Sequence, residues 1–294
     1  MSSDEQRAGG NEQQIAHWNA DGGGRWARLS ATLDKAIEPF GLAAMDAAGV
    51  REGDRVVDVG CGCGATVVAL SERVGPTGRV VGVDVSAPML EVARERTIGR
   101  DNVRLVESDA THADLADRAH DLLFSRFGVM FFADPTRSFR ALARALTPDA
   151  RVAFVCWRSL RDNAWARVPL EAVLPFVGPM ERPAPDAPGP FSFADPARVR
   201  TILEAAGLAN VKIDPFDHPM SIGPTADLDD AVDHAMDLGP TARALANADA
   251  PTRARARTAL RTALTPHHTP LGVTLPASSW LITAQVSGTP TKTP

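Results

Sequence analysis

Short apolar runs alternate with longer amphipathic stretches from residue 56 to residue 156. Runs of four or five apolar residues bounded by glycine or charged residues predict buried strands at 56–59, 79–83, 103–106, 121–125 and 152–156. Between them, apolar residues at helical spacing predict helices at 66–74, 88–96 and 136–146, and a short helical stretch near Leu115. Pro88 stands near the first turn of its helix, where the missing N–H costs nothing. Upstream, Leu29, Leu33, Ile37 and Phe40 mark a helix over 26–48, which Pro39 is expected to kink or break. Past Trp157 the pattern changes. Seven prolines between 175 and 196 predict a stiff irregular loop or lid. A helix follows at 196–206 with Gly207 as its stop, then a strand at 211–216. Helical stretches at 227–236 and 251–264 precede a last strand at 280–286.

Strand–helix alternation of this kind predicts an α/β fold with a Rossmann-like, seven-stranded, mostly parallel sheet and helices on both faces. An N-terminal helical cap is expected at 15–50, the core at 51–218 and 277–287, and a helical insertion or substrate lid at 219–276. Residues 1–14 and 288–294 read as flexible tails. Ligands of such sheets sit beyond the carboxyl ends of the strands, where strand order reverses. The loops after residues 59, 83, 106 and 125 are therefore the places for chemistry.

Composition narrows the classes. The 294 residues are 44% hydrophobic and 23% charged, with a net charge of −5. No broad positive field is expected, so nucleic acid is not the expected partner. No apolar run approaches the roughly 18 residues of a membrane span, and the polar N-terminus lacks a secretory layout, which predicts a cytoplasmic protein. Cys61, Cys63 and Cys156 are too few for a disulfide scaffold, and Cys61-x-Cys63 lacks companions at ligand spacing, so no metal is expected. His267-His268 likewise lacks partners, and Arg253, Arg255, Arg257 and Arg261 read as a solvated helix face.

The strongest local signal is Val56-Val57-Asp58-Val59-Gly60-Cys61-Gly62-Cys63-Gly64, a buried strand running through alternating glycines into a helix. Glycines permit a sharp turn and close ligand approach, and a helix start offers free N–H groups to an anionic group. Gly60, Gly62 and Ala65 also satisfy the dinucleotide spacing, so spacing alone leaves a nicotinamide site open. Asp84, ending the second strand, is placed to accept from ribose hydroxyls, and Asp109, after the third, from an adenine amino group.

These residues, with Ser108-Asp109-Ala110, resemble the motifs of class I S-adenosylmethionine-dependent methyltransferases. The run Phe124-Ser125-Arg126-Phe127-Gly128-Val129-Met130-Phe131-Phe132-Ala133-Asp134-Pro135, then Phe154-Val155-Cys156-Trp157, is similar to the subgroup of ubiquinone/menaquinone-biosynthesis C-methyltransferases. Trp18-Asn19 and Trp26 also look like that subgroup's N-terminal helix. The resemblance implies that Gly60, Cys61 and Gly62 hold the methionine part of S-adenosylmethionine, with Asp58 nearby. By the same resemblance Asp84 takes the ribose, Val85 and Met89 lie beside the adenine, Asp109 and Ala110 flank its edge, and Ser125 and Arg126 stand at the substrate mouth. Pro148-Asp149-Ala150-Arg151 departs from the family's usual Pro-Gly-Gly.

Methyl transfer to a small, apolar or aromatic metabolite is the expected activity, on carbon, oxygen or nitrogen. In-line displacement asks the protein to align the acceptor and exclude water, with a base only where the acceptor loses a proton. His17 and Arg126 are the catalytic candidates. Trp18, Trp26, Phe127, Met130, Phe131, Phe132 and Trp157 are the expected pocket, Trp18 and Trp26 also as cation–π partners of a sulfonium. A cofactor-binding protein of this fold without methyl transfer, such as a cyclase, and a nicotinamide dehydrogenase stay open as alternatives. Acceptor, pathway and oligomeric state are not legible.

Overall fold

A computed structural model describes residues 3–178, 184 and 186–287. Helices α1 (Ser3–Asn19) and α2 (Asp21–Ala48) precede the alternating region. It runs β1 (Arg55–Val59), α3 (Ala65–Val74), β2 (Arg79–Asp84), α4 (Ala87–Arg96), β3 (Val103–Glu107), β4 (His120–Arg126), α5 (Pro135–Arg144) and β5 (Leu146–Trp157). Then come α6 (Ala164–Val177), α7 (Pro196–Ala205), β6 (Leu208–Ile222), α8 (Leu228–Met236), α9 (Gly239–Ala244), α10 (Ala250–Leu264), β7 (His268–Thr269) and β8 (Gly272–Val286).

The strands form one sheet of order β3-β2-β1-β4-β5-β8-β6, and the two-residue β7, an eighth strand beyond the seven expected, pairs with β8. The first five are parallel, with Val57 facing Val81 of β2 and Leu123 of β4. β8 runs antiparallel between β5 and β6. Strand order therefore reverses between β1 and β4, which opens the ligand crevice at their carboxyl ends. Val56, Val57 and Val59 are buried, as are Leu122, Leu123 and Phe124 of β4, each contributing roughly 1.5–3 kcal/mol by burial.

Several expectations need correction. Pro39 lies inside an unbroken α2. The helix loses one hydrogen bond there, but Ala36, Ile37, Phe40, Ala44 and Met45 are buried around it, and packing overrides the local penalty. α1 begins at Ser3, within the stretch read as a tail. No helix forms near Leu115, which lies in irregular chain between β3 and β4. α6 was hidden by Pro169 and Pro175, both inside it. It is held by buried Trp165 and Val173, and by Asn163, whose side chain accepts from Trp165 Nε1 (2.9 Å) and donates to Ser278 O (3.0 Å). The expected proline-rich loop thus starts later, and residues 179–183 and 185 of it lie outside the described residues, as does the expected tail 288–294. β6 and β8 extend well past 211–216 and 280–286, because their outer halves pair as a two-stranded ribbon, Ile222 opposite Val273. That ribbon carries the three helices α8–α10.

Candidate active site

The loops following β1 and β4 meet at the crevice. A Cβ on Gly60 would lie 2.7 Å from Gly128 Cα, and Gly60 has φ +68°, so the backbone there needs glycine on both counts. Ser125 is buried and spends its hydroxyl on this junction. It donates to Val59 O (2.7 Å) and accepts from Gly128 N (3.2 Å). Ser125 therefore positions the two loops, and its hydroxyl does not reach into the expected substrate mouth. Gly62 (φ +55°) abuts Met89, whose methyl would stand 2.7 Å from an added Cβ.

Asp84 closes the loop from the second strand. Its carboxylate accepts from Gly62 N (2.7 Å) and Ser86 N (2.9 Å). Burial raises its pKa, opposed by hydrogen bonds from the backbone of Ser86, Gly62 and Val85. A carboxylate has about four acceptor sites, so these backbone bonds still leave capacity for a ribose hydroxyl. Asp58 is fully buried beneath the same loop. One oxygen accepts from Thr66 Oγ1 at 2.5 Å, and the other, Oδ1, has no partner among the described residues. Burial pushes this carboxyl up to about 7, against the pull of Thr66 and Arg126, with Asp84 adding to the rise. A buried acceptor left open beside a glycine loop fits the ammonium group of an amino-acid-bearing ligand. Burial also raises the thiols, Cys61 well above its usual range and Cys63 to about 12, so neither is a ready nucleophile.

Arg126 does not stand free at the mouth. It donates to Asp34 Oδ1 of α2 (2.6 Å), while Asp34 Oδ2 accepts from Arg96 (2.6 Å), and Arg96 also donates to Cys63 O (3.0 Å) and Ser30 Oγ (3.1 Å). One carboxylate thus joins α2, α4 and the end of β4. Asp34, Arg96 and Ser30 were missed from sequence, since an Asp and a Ser on an amphipathic helix carry no signal of their own.

The N-terminal helices cover this loop. Asn19 Nδ2 donates to Val85 O (2.8 Å), and its Oδ1 accepts from Ala87 N (3.0 Å). Ser86 Oγ donates to Trp18 O (2.6 Å). Asn11 hydrogen-bonds Asp109, which also accepts from Thr111 N (2.8 Å) and sits 3.2 Å from His112 Nδ1. α1 therefore bridges the places expected for both edges of the adenine, Val85 and Asp109–Ala110.

The expected pocket residues fall into two groups. Trp18 packs edge-on to Trp26 (6.2 Å) and Phe131 (5.0 Å) in the cap, with His17 exposed on the outside of the same cluster. Phe132 turns away to pack on Phe139 (5.6 Å). Phe127 stacks on Trp157 (3.9 Å), and Phe40 meets both at 5.6 and 5.1 Å. Phe127 holds φ +63°, a strained conformation for a bulky residue, placed where β4 meets the crevice. Phe216 and His218 of β6 complete this second group, at 5.5 and 6.0 Å from Phe40. Met130 is buried, with its sulfur accepting from Trp157 N (3.3 Å), and ties the β4 loop to β5. Phe40, Phe216 and His218 were missed because aromatic residues at helical or strand spacing read as ordinary core.

Comparison with known proteins agrees with this geometry. Residues 56–149 match the methyltransferase domain family. A demethylmenaquinone methyltransferase of Staphylococcus aureus is 32% identical over 178 residues, covering 57% of this chain and 73% of the relative. In fold, the chain is similar to the YcgJ protein of Bacillus subtilis (TM-score 0.56, 19% identity, 85% of this chain and 99% of that one). It is also similar to a protein of Bacillus halodurans described as a methyltransferase (TM-score 0.55, 16% identity, 84% and 98%). No helix among the described residues is long and apolar enough to cross a membrane. A glycine turn at the strand-order reversal, an acidic residue ending the second strand and this kinship make one statement: the chain belongs to the class I S-adenosylmethionine-dependent methyltransferases, related to the quinone C-methyltransferases.

Proposed function

We propose that the enzyme methylates a hydroxylated aromatic ring of quinol type, held against the second aromatic group beside the glycine loop. The carrying observation is the layout of Phe127, Trp157, Phe40 and Phe216. These rings begin at Gly128, which touches Gly60, and lead from the cofactor loop across the top of β5 to β6. A flat apolar acceptor gains most from such rings, which favour stacked and edge-on partners. The demethylmenaquinone methyltransferase relative supports the same class of acceptor.

In this reading, S-adenosylmethionine supplies an electrophilic methyl group and its own leaving group. The chain's residues bind and orient. Asp84 takes the ribose hydroxyls, Gly60 and Gly62 admit the methionine backbone, and Asp58 Oδ1 receives its ammonium group. Val85, Met89, Asp109 and Ala110 flank the adenine. Arg126, held by Asp34, fixes the electrostatics around Asp58 and serves as a positioning residue. His17, being exposed, is not assigned the role of base. Helices α8–α10 act as the substrate lid. Gly239 at the head of α9 lies against Trp165, and Trp165 lies 5.1 Å from Trp157.

The test is calorimetry with S-adenosylmethionine, followed by turnover with a reduced 1,4-naphthoquinone. Saturable binding with stoichiometric release of S-adenosylhomocysteine and a methylated ring is expected. Tight cofactor binding with no methylated product from quinol, phenol or amine acceptors would turn the reading toward a cofactor-binding cyclase of the same fold.

A further inference from the structure

A concave, arginine-lined surface lies on α5, apart from the crevice just described. Pro135 starts this helix, the Asp134 side chain caps it by accepting from Arg137 N (3.0 Å), and Ser138, Phe139 and Leu142 form its buried face. Arg137, Arg140 and Arg144 then follow at helical spacing on the exposed face. They line a cavity of about 500 Å³ with Ala141, Thr111 and His112. Arg137 and Arg140 also line an adjoining cavity of about 420 Å³, which Arg198 enters from α7 and which Asp134 and Asp186 border. Thr111 and Ser138 share a hydrogen bond (2.8 Å) that fixes the β3–β4 loop against the helix, so the larger cavity has a defined wall.

What sets this surface apart is that several arginines without a carboxylate partner line one cavity. Many arginines elsewhere do pair, as Arg55 does with Asp121, Arg73 with Asp46, Arg151 with Asp54 and Arg257 with Asp233, while others without an acid partner, such as Arg161, are not gathered with further arginines in either cavity. Among the described residues, Arg137 and Arg144 make no ion pair, and Arg140 and Arg198 donate only to the backbone, at Ala205 O and Ser192 O. Three guanidinium groups line one cavity and concentrate positive charge there, in a chain of net charge −5. Guanidinium forks match phosphate oxygens two at a time, and adjacent arginines one helical turn apart suit neighbouring phosphates.

We infer that the α5 cleft is a binding site for a phosphate-bearing ligand, with Arg137, Arg140 and Arg144 as its ligating residues. His112 stands on the rim between this cleft and Asp109, so the site adjoins the adenine end of the crevice without sharing its residues.

Calorimetric titration with inorganic pyrophosphate, at low and at physiological salt, tests this directly. A parallel arm uses vesicles containing phosphatidylglycerol, which separates a free phosphate compound from a lipid headgroup as the source. The double variant Arg137→Gln, Arg144→Gln is compared with Arg161→Gln, which removes an exposed arginine elsewhere. Both variants should retain the wild-type circular dichroism and affinity for S-adenosylmethionine. The expected result is saturable binding of pyrophosphate or vesicles, weakened at least about tenfold in the double variant and unchanged in Arg161→Gln. Added salt should weaken it further in the wild type, since exposed charges are screened. Absence of binding to both probes at low salt, or equal loss in both variants, overturns the inference.

Discussion

Arg126 donates to Asp34 across 2.6 Å, and the two side chains are only 10% and 13% exposed. The same carboxylate holds Arg96 at 2.6 Å. A single buried acid therefore sets two arginines that belong to different elements of the site. Removing one partner of such a pair leaves a buried charge uncompensated. Asp34→Asn should accordingly cost about 3 kcal/mol of stability. Urea denaturation measures it, and a loss below about 1 kcal/mol would show that water or another residue takes over the role.

Asp58 gives the site a pH dependence with a definite sign. Burial raises its carboxyl to about 7, with Thr66 and Arg126 opposing and Asp84 adding to the rise. An unfolded aspartate titrates near about 3.9, so between those values the folded chain holds the extra proton. This contribution to stability is fully present below about pH 4 and is lost as pH rises through about 7. Affinity for the cofactor runs the other way. An ammonium group prefers the ionised acid, so binding should weaken as pH falls below about 7, approaching tenfold per unit. Asp58→Asn should flatten both profiles. Calorimetry between pH 5.5 and 8.5 checks the second, and an equally steep wild-type and variant profile would assign the titration to another group.

Much of this was legible in the chain, for physical reasons. The central strands are continuous apolar runs because both faces of the sheet are covered, and the glycine turn is visible because only glycine fits against Gly128. Asp84 is marked in the sequence by its place at the end of a strand, and Asp58 only by the family resemblance. Residues that act across sequence distance were not legible. Asp34 reaches Arg126 from 92 positions away, and Asn11 reaches Asp109 from 98. Each is an ordinary polar residue on an ordinary helix until the fold joins them. Arg126 follows the predicted fourth strand in sequence, but nothing local shows that Asp34 of α2 pairs with it. Prolines are poor guides to the helix ends here. Pro39 and Pro175 sit inside helices because tertiary burial outweighs one missing hydrogen bond.

Gly60 and Gly62 should differ in their tolerance of alanine. At Gly60 an added methyl meets the Gly128 backbone at 2.7 Å, which cannot yield without parting β1 from β4. At Gly62 it meets only the terminal methyl of Met89, which can rotate away. Both positions have positive φ, costing alanine about 1–2 kcal/mol. Gly62→Ala should therefore remain folded, destabilised by roughly that amount, while Gly60→Ala loses more and also loses cofactor binding. Thermal melts with and without S-adenosylmethionine distinguish them. Equal melting points for the two variants would mean that the loops are free to separate.

Asn19 fastens α1 to the loop after β2 through both ends of its side-chain amide, at Val85 O and Ala87 N. The amide is exposed, so its bonds add little to global stability, and Asn19→Ala should cost no more than about 1 kcal/mol. Its consequence is local. With the contacts to Ser86 and Asp109 and the packing of Trp18 on Trp26 and Phe131 remaining, α1 should open more often, and a helix that opens exchanges its amide hydrogens faster. Deuterium exchange over residues 11–19 should accelerate in the variant while the strands β1 and β4 stay protected. If α1 covers the cofactor, dissociation of S-adenosylmethionine should also quicken several-fold by the same opening. Faster exchange with an unchanged dissociation rate would show that the ligand leaves by a path that α1 does not guard.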